Sequence, residues 1–267
     1  MKLYFLSLAS GSSGNCYYLG TDGYGILIDA GIGARTIRKR LRDKGIGLEK
    51  IHGVFVTHDH CDHIKGCGCL GEKFHIPIYS TEEVHRGLDR NCRFTEKLLT
   101  SRRILYKEVP VKIGDFTIRA FEVSHDGSDN MGYFVEAGDK CFSFATDLGY
   151  ISDTVAGYLC RSNYMVLEAN YDHEMLIHGS YPDSLKERIL GKNGHLCNDE
   201  TACFLASNYL DSMRHVFLCH LSRDNNHPDV ALQTVEQALE EQGIQVGIDI
   251  VIEPLHRTEN TGMYTFE

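Results

Sequence analysis

An apolar strand runs directly into four metal-binding side chains within six residues: Val54-Phe55-Val56-Thr57-His58-Asp59-His60-Cys61-Asp62-His63. Side chains two apart on an extended chain project to one side, so His58 and His60 can reach the same ion. If the chain then turns, Asp62 and His63 point elsewhere and can hold a second ion. Imidazole suits zinc, iron or nickel, and a carboxylate extends the range to manganese. One His on an apolar strand is commonly a satisfied core or surface residue. Three His and two Asp at one strand end are costly to bury without a cation.

Four ligands are too few for two open catalytic ions, so others must come from distant segments. The same context, an apolar strand ending in a ligand type, recurs three times. Phe121-Glu122-Val123-Ser124-His125 offers a His, and Val216-Phe217-Leu218-Cys219-His220 offers another. Cys141-Phe142-Ser143-Phe144-Ala145-Thr146-Asp147 ends in a carboxylate whose two oxygens could bridge two ions. Each is ambiguous alone, and their shared register after apolar strands is the argument.

Taken in order, His58-x-His60-x-Asp62-His63, His125, Asp147 and His220 resemble the metallo-β-lactamase superfamily, in a pattern spanning most of the chain. The resemblance implies an α+β fold, an αββα four-layer sandwich, with a two-metal site at one edge of the sheets. Several stretches are similar to the YycJ/WalJ/VicX-type metallohydrolases: Ser7 to Asn15, Leu27 to Gly31, Leu167-Glu168-Ala169-Asn170, Gly194-His195-Leu196-x-Asn198, and His220-Leu221-Ser222-x-x-Asn225-Asn226. Members of that group are regarded as bacterial cytoplasmic nucleases acting exonucleolytically on DNA from 5′ ends. Ser is expected where this chain has Cys197.

By the resemblance, His58, His60 and His125 hold metal 1. Asp62, His63 and His220 hold metal 2, and Asp147 bridges. Asp29 orients a ligand His through its ring N–H, although a polar strand end accounts for it equally. Di-iron redox members place a carboxylate where His60 stands, so this His favours hydrolysis. Alternation turns Cys61 and Cys219 away from the metals, into structural roles.

Two divalent cations (zinc or manganese, with iron or nickel admissible) held about 3.5–4 Å apart would activate a bridging water and bind phosphate oxygens. Asp62 and His195 are the catalytic candidates, Asp62 doubling as a ligand. His195, between two helical patterns, is the candidate proton donor or phosphate contact; a helix-flanking polar residue is the alternative. Ser12, Asn15, Asn170 and Asn225 are candidate substrate contacts at the same mouth.

These groups need a frame of strands. Short β-branched or aromatic runs at 3–8, 16–20, 25–29, 53–57, 104–109, 116–123, 132–137, 141–146, 164–168 and 215–219 are bounded by Gly, Asp or Asn and predict strands. Helical patterns fall at 34–44 and 81–90. Others begin at Pro182 and at Asn198, which is expected to cap its helix, and Pro228 opens one that Gly243 closes. Strands at 249–252 and 262–266 end the chain. With no repeat and no linker-like stretch, residues 1–267 are expected to form one domain.

The 267 residues are 42% hydrophobic and 24% charged, the globular mix, which excludes intrinsic disorder and small disulfide scaffolds. No apolar run approaches the roughly 18 residues of a membrane span. Residues 1–9 carry one Lys, a Ser and no small-x-small site, and so predict a first strand rather than a signal peptide. Ten scattered cysteines without C-x-x-C spacing predict reduced thiols and a cytoplasmic location. A net charge of −10 gives no long-range pull towards nucleic acid or anionic membrane. Within it, six bases at 35–44 predict a solvated helix face, with a phosphate-facing patch as the alternative.

The expected activity is therefore two-metal phosphodiester hydrolysis on DNA, with no membrane partner. A hydrolase of a small ester, thioester or cyclic phosphate is the alternative. A non-catalytic metal-stabilised module is disfavoured by the complete ligand set.

Overall fold

The computed structural model describes residues 1–267. Two seven-stranded sheets lie face to face. The first contains β1 (Leu3–Ala9), β2 (Cys16–Gly20), β3 (Gly25–Ile28), β4 (Ile51–Phe55), β5 (Ile78–Ser80) and β6 (Arg102–Ile104) in that spatial order, with the last strand, β14 (Tyr264–Phe266), beside β1. The second contains β7 (Val111–Ile113), β8 (Phe116–Glu122), β9 (Met131–Ala137), β10 (Lys140–Ala145), β11 (Tyr164–Glu168), β12 (His215–Cys219) and β13 (Val251–Pro254), again in chain order across the sheet. Each sheet starts antiparallel and becomes parallel: β3 to β6 in the first, β10 to β13 in the second.

Parallel strands are buried on both faces, and their sequences show it. Phe142 and Phe144 of β10, Val166 of β11 and Phe217 of β12 join the core between the sheets. Their alternate neighbours Ala145, Met165, Leu167, Val216 and Leu218 pack outward. There they meet Val155 and Leu159 of α5 (Asp153–Leu159), Leu205 of α8 (Asn198–Asn208) and Val235 and Leu239 of α9 (Pro228–Glu240). Against the other sheet lie Ile37 and Leu41 of α1 (Ala34–Arg42), Leu70 of α3 (Cys67–Phe74) and Val84 and Leu88 of α4 (Glu82–Arg90). This gives the αββα layering. The middle is aromatic: the Phe5 ring centroid lies 4.5 Å from that of Phe217 and 5.1 Å from that of Phe142. Truncating such a ring to Ala typically costs about 3–5 kcal/mol.

Three further helices complete the chain: α2 (Cys61–Ile64), α6 (His173–His178) and α7 (Asp183–Leu190). No helix is long and apolar enough to cross a membrane, and all ten cysteines are free.

Three expectations change. The strand expected at 104–109 is the passage between the sheets. Leu105 N–H still bonds Ser80 O of the first sheet, whereas Glu108, at φ 65°, bonds Ala120 O of the second. The apolar run there reflects burial along a crossover. The three-residue strands β5 and β7 are too short to show a period. Finally, Asn198 is the first residue of α8, and Cys197 caps it. Cys197 Sγ accepts from Glu200 N–H at 3.4 Å, while the Glu200 carboxylate accepts from Cys197 N–H at 3.2 Å.

Candidate metal centre

The C-terminal ends of the parallel strands converge at one edge of the sandwich, where ligands of open α/β sheets also gather. Asp29 follows β3, His58 follows β4, Asp147 follows β10 and His220 follows β12. Three of these leave their strands in the left-handed region: Asp29 at φ 58°, Asp147 at φ 55° and His220 at φ 53°. That region is uncommon for residues other than glycine. Here it turns a side chain abruptly from strand direction into the shared cleft.

After His60 the chain makes the single turn of α2, which brings Asp62 and His63 back towards His58. Two loops clasp the turn: Asn15 N–H bonds Asp62 O at 2.7 Å and Ala30 N–H bonds His63 O at 2.8 Å. Gly31 is required there, because a Cβ would stand 1.5 Å from Asp62 O.

Four imidazoles are held by Nδ1 and present Nε2 to the cleft. His63 Nδ1 donates to Asp29 Oδ2 at 2.7 Å. Asp29 is itself fixed by Thr57 N–H at 2.8 Å and the Thr57 hydroxyl at 2.9 Å. That hydroxyl receives His58 Nδ1 at 3.0 Å. His125 Nδ1 donates to Gly194 O at 2.9 Å, and His220 Nδ1 to Glu168 Oε1 at 2.8 Å. An acceptor on one ring nitrogen fixes the tautomer and frees the other for a ligand.

The seven residues expected as metal ligands all meet here. The ligand atoms of His58, His60 and His125 lie within 4.8 Å of one another, as do those of Asp62, His63 and His220. Asp147 stands between the triads. Its Oδ2 is 3.2 Å from His63 Nε2, and its Oδ1 is 3.7 Å from His125 Nε2 and 3.2 Å from His220 Nδ1.

The fit to a cation is decided by orphaned atoms. Nε2 of His58, His125 and His220 and Oδ2 of Asp147 are buried without a hydrogen-bond partner. Leaving such a group unsatisfied costs about 1–3 kcal/mol, and four of them facing one cleft suit a divalent metal. The protonation pattern agrees. Burial, reinforced by His63, drives the pKa of His58 well below the ordinary value, and burial also lowers that of His125, so both are neutral donors. Burial opposes charge on His63 and His220 too, yet Asp29 and Asp147 outweigh it and raise both well above that value. Asp147 is held well below the usual carboxylate range because His220 and His63 outweigh its own burial. The carboxylates demand positive charge at the centre.

His195 flanks the cluster. Its ring centroid is 5.0 Å from that of His125 and 5.1 Å from that of His220. Of the four candidate substrate contacts, Ser12 alone is exposed. Asn15 Nδ2 lies 3.0 Å from His63 Nε2 and 3.5 Å from Asp62 Oδ2. Asn170 Nδ2 donates to His220 O at 2.7 Å. Both asparagines are buried against the candidate ligands, and Asn225, also buried, packs against Gly179. The basic run 35–44 forms α1, with Ala34, Ile37 and Leu41 buried and its charged side chains outside both recesses beside the cluster.

Sequence reasoning gave no role to Glu168, whose carboxylate touches both His195 and His220. The signal was available, since β11 is another apolar strand ending in an acid. It likewise passed over Asp126, whose Oδ1 is 3.4 Å from Nε2 of both His60 and His125. Arg188 of α7 grips Asp126 with Nε at 2.6 Å and a second nitrogen at 3.1 Å. Arg188, Arg90 and Arg93 line a recess of about 500 Å³ beside His60 and Asp62. Nothing in the sequence separates these arginines from ordinary surface bases.

Two helix-covered sheets with a His/Asp cluster at their shared edge define a metallo-β-lactamase-fold protein whose centre fits a divalent metal. The chain belongs to the beta-lactamase superfamily, whose domain model matches residues 24–221, in the branch that contains YycJ and WalJ. It is 38% identical to "Exodeoxyribonuclease YycJ" of Bacillus anthracis over 248 residues, 92% of this chain and 93% of the relative. Against "Exodeoxyribonuclease WalJ" of Streptococcus pneumoniae it is 35% identical over 92% and 91% of the two chains. Among solved structures, the metallo-beta-lactamase fold protein YhfI of Bacillus subtilis superposes with a TM-score of 0.73 at 16% identity, covering both chains fully. Yeast PDE1 superposes at 0.70 with 14% identity, covering 97% of this chain and 99% of that one. These two likenesses concern the fold.

Proposed function

We propose that this protein is a metal-dependent exodeoxyribonuclease that hydrolyses phosphodiester bonds from the 5′ end of DNA. The observation that carries the reading is the 38% identity across 92% of the chain to an exodeoxyribonuclease, joined to a complete ligand cluster. Residues 1–267 act as one domain, because both sheets contribute ligands and share one core.

His58, His60 and His125 would hold one ion and Asp62, His63 and His220 a second, with the Asp147 carboxylate shared between them; zinc or manganese suits this donor set, with iron or nickel admissible. Such ions, when bound, lower the pKa of water and polarise phosphate oxygens. The chain's own residues do the rest. Asp29 and Asn15 position His63 and Asp62, while Glu168 and Asn170 position His220. Asp62, at the open side of the cluster, borders both recesses and so lies beside the scissile phosphate.

His195 supplies the proton. Its Nδ1–H donates to Glu168 at 2.8 Å, which leaves Nε2 for the oxygen departing from phosphorus. With its side chain 15% exposed beside the cluster, it can meet substrate where the buried histidines cannot. Arg90, Arg93 and Arg188 offer charge to the backbone phosphates. A chain of net charge −10 thus meets DNA through a local basic rim. Ten free thiols support a cytoplasmic location.

The test is a metal-reconstituted assay on end-labelled linear DNA and on bis-p-nitrophenyl phosphate. Progressive release of mononucleotides from DNA is expected. Turnover of the small ester with no cleavage of DNA would replace this reading with a small-molecule phosphodiesterase.

A further inference from the structure

The rim of the metal centre opens into two recesses of different shape that share Cys61, Asp62 and Arg93. One is the shallow recess of about 500 Å³ that holds Arg90 and Arg188. The other, on the far side of Asp62, is more enclosed and measures about 300 Å³. Ile64 and Phe94 give it an apolar floor, and Ser12, Ser13, Lys65 and Arg93 stand around it.

The charges of the enclosed recess are uncommitted. Lys65 and Arg93 make no ion pair, and the Ser12 and Ser13 hydroxyls make no hydrogen bond; on the adjoining recess Arg90 is likewise unpaired, whereas Arg188 is held by Asp126. Two free cations and two hydroxyls around an apolar floor match a phosphate joined to a sugar and base. A volume of about 300 Å³ is at the small end of ligand pockets, enough for one nucleotide and too small for a strand passing through.

We infer that this recess is the subsite for the terminal nucleotide, with the end phosphate on Lys65, Arg93 and the two serine hydroxyls. The remainder of the strand leaves across Asp62 along Arg90 and Arg188. The inference rests on the nuclease reading above and deepens it. A closed pocket on one side of the centre and an open groove on the other place the first internucleotide phosphate at the metals. That is what distinguishes cutting at an end from cutting within a chain.

The experiment compares kcat/KM on single-stranded DNA bearing a 5′-phosphate, a 5′-hydroxyl or a 3′-phosphate, and on a closed circle. Wild-type protein is set against Lys65→Gln/Arg93→Gln and the charge-preserving Arg93→Lys. Charge-assisted contacts to a phosphate predict a preference of about tenfold or more for the 5′-phosphorylated end, with the circle uncut. In the double variant the preference falls towards one, chiefly through KM, and Arg93→Lys keeps most of it. Deoxyadenosine monophosphate should also inhibit turnover of bis-p-nitrophenyl phosphate less in the double variant than in wild type. Preference for a 3′-phosphate would support the subsite and overturn the polarity. DNA cleavage with no end preference, or a preference unchanged in the double variant, would overturn the subsite and leave the nuclease reading standing. A wild-type protein that turns over the small ester but cuts no DNA would overturn both.

Discussion

The buried Glu168 carboxylate pairs with the part-exposed His195 imidazole, Oε1 to Nδ1 at 2.8 Å, and the same oxygen lies 2.8 Å from His220 Nδ1. The other oxygen accepts Leu148 N–H at 2.8 Å and Leu196 N–H at 3.4 Å. One carboxylate therefore sets the orientation of a metal-centre histidine and of the histidine beside it. His195 outweighs the burial of Glu168 and holds its carboxyl below the usual range, so the carboxylate stays ionised to receive both N–H groups.

His195→Ala should slow DNA cleavage by about 10²–10⁴ in kcat, the usual cost of losing a general acid. Metal content should not change, because the ligand set is intact. The loss should shrink on bis-p-nitrophenyl phosphate, whose leaving group hardly needs a proton. Equal losses on both substrates would assign His195 to phosphate binding, and no loss on either would remove it from the reaction.

Glu168→Gln tests the shared acceptor. Replacing the carboxylate beneath a metal-bound histidine typically costs about 10–100-fold in metal affinity or activity. Here two histidines lose it together, so metal affinity and kcat should both fall, unlike in His195→Ala. Competition with a fluorescent chelator measures the first, and turnover at saturating metal the second. Unchanged affinity would mean that Glu168 serves His195 alone.

Chelation should lower thermal stability as well as activity. Binding that favours the folded state stabilises by RT ln(1 + [L]/Kd), about 2.7 kcal/mol at one hundred times Kd. For a chain of this size each kcal/mol moves Tm by about 2–4 °C. Calorimetry with and without a chelator should show a drop of several degrees that added metal reverses. An unchanged Tm would argue against the four orphaned atoms as ligands.

The clustering of the seven candidate ligands was legible because each one at a strand end follows an apolar run, a local pattern. Glu168 has the same pattern and was passed over because an acid at a strand end has many uses. Arg90, Arg93 and Arg188 were illegible, since only tertiary folding brings α7 to one rim with the end of α4 and the segment after it. At 104–109 hydrophobicity reported burial without reporting the change of sheet. Cys197 shows a different limit: the residue that differs from the expected Ser is the cap of α8, and its thiol is the weaker acceptor. Cys197→Ser should raise stability by about 0.5–1 kcal/mol, read as an increase in denaturant midpoint with unchanged slope. A lower midpoint would mean that burial of the thiol outweighs its capping.

Stability should also carry a pH signature from Glu72, at the end of α3. Its carboxylate accepts the Ser101 hydroxyl at 2.7 Å and the backbone N–H groups of Leu99, Thr100 and Ser101 at 3.0–3.2 Å, tying down the segment that leads into β6. The Ser101 hydroxyl contributes most, followed by the backbone donors, and together they lower its pKa from 4.5 to about 2. A carboxyl that is more acidic folded than unfolded adds stability above its unfolded pKa and loses it as pH falls towards the folded one. Glu72→Gln, which cannot ionise, should therefore melt below wild type at pH 6. The gap should narrow as pH falls through 4.5 and approach zero near 2. Melting curves of both proteins at stepped pH provide the check, and a gap that stays constant between pH 6 and 3 would refute the role of the ionised carboxylate.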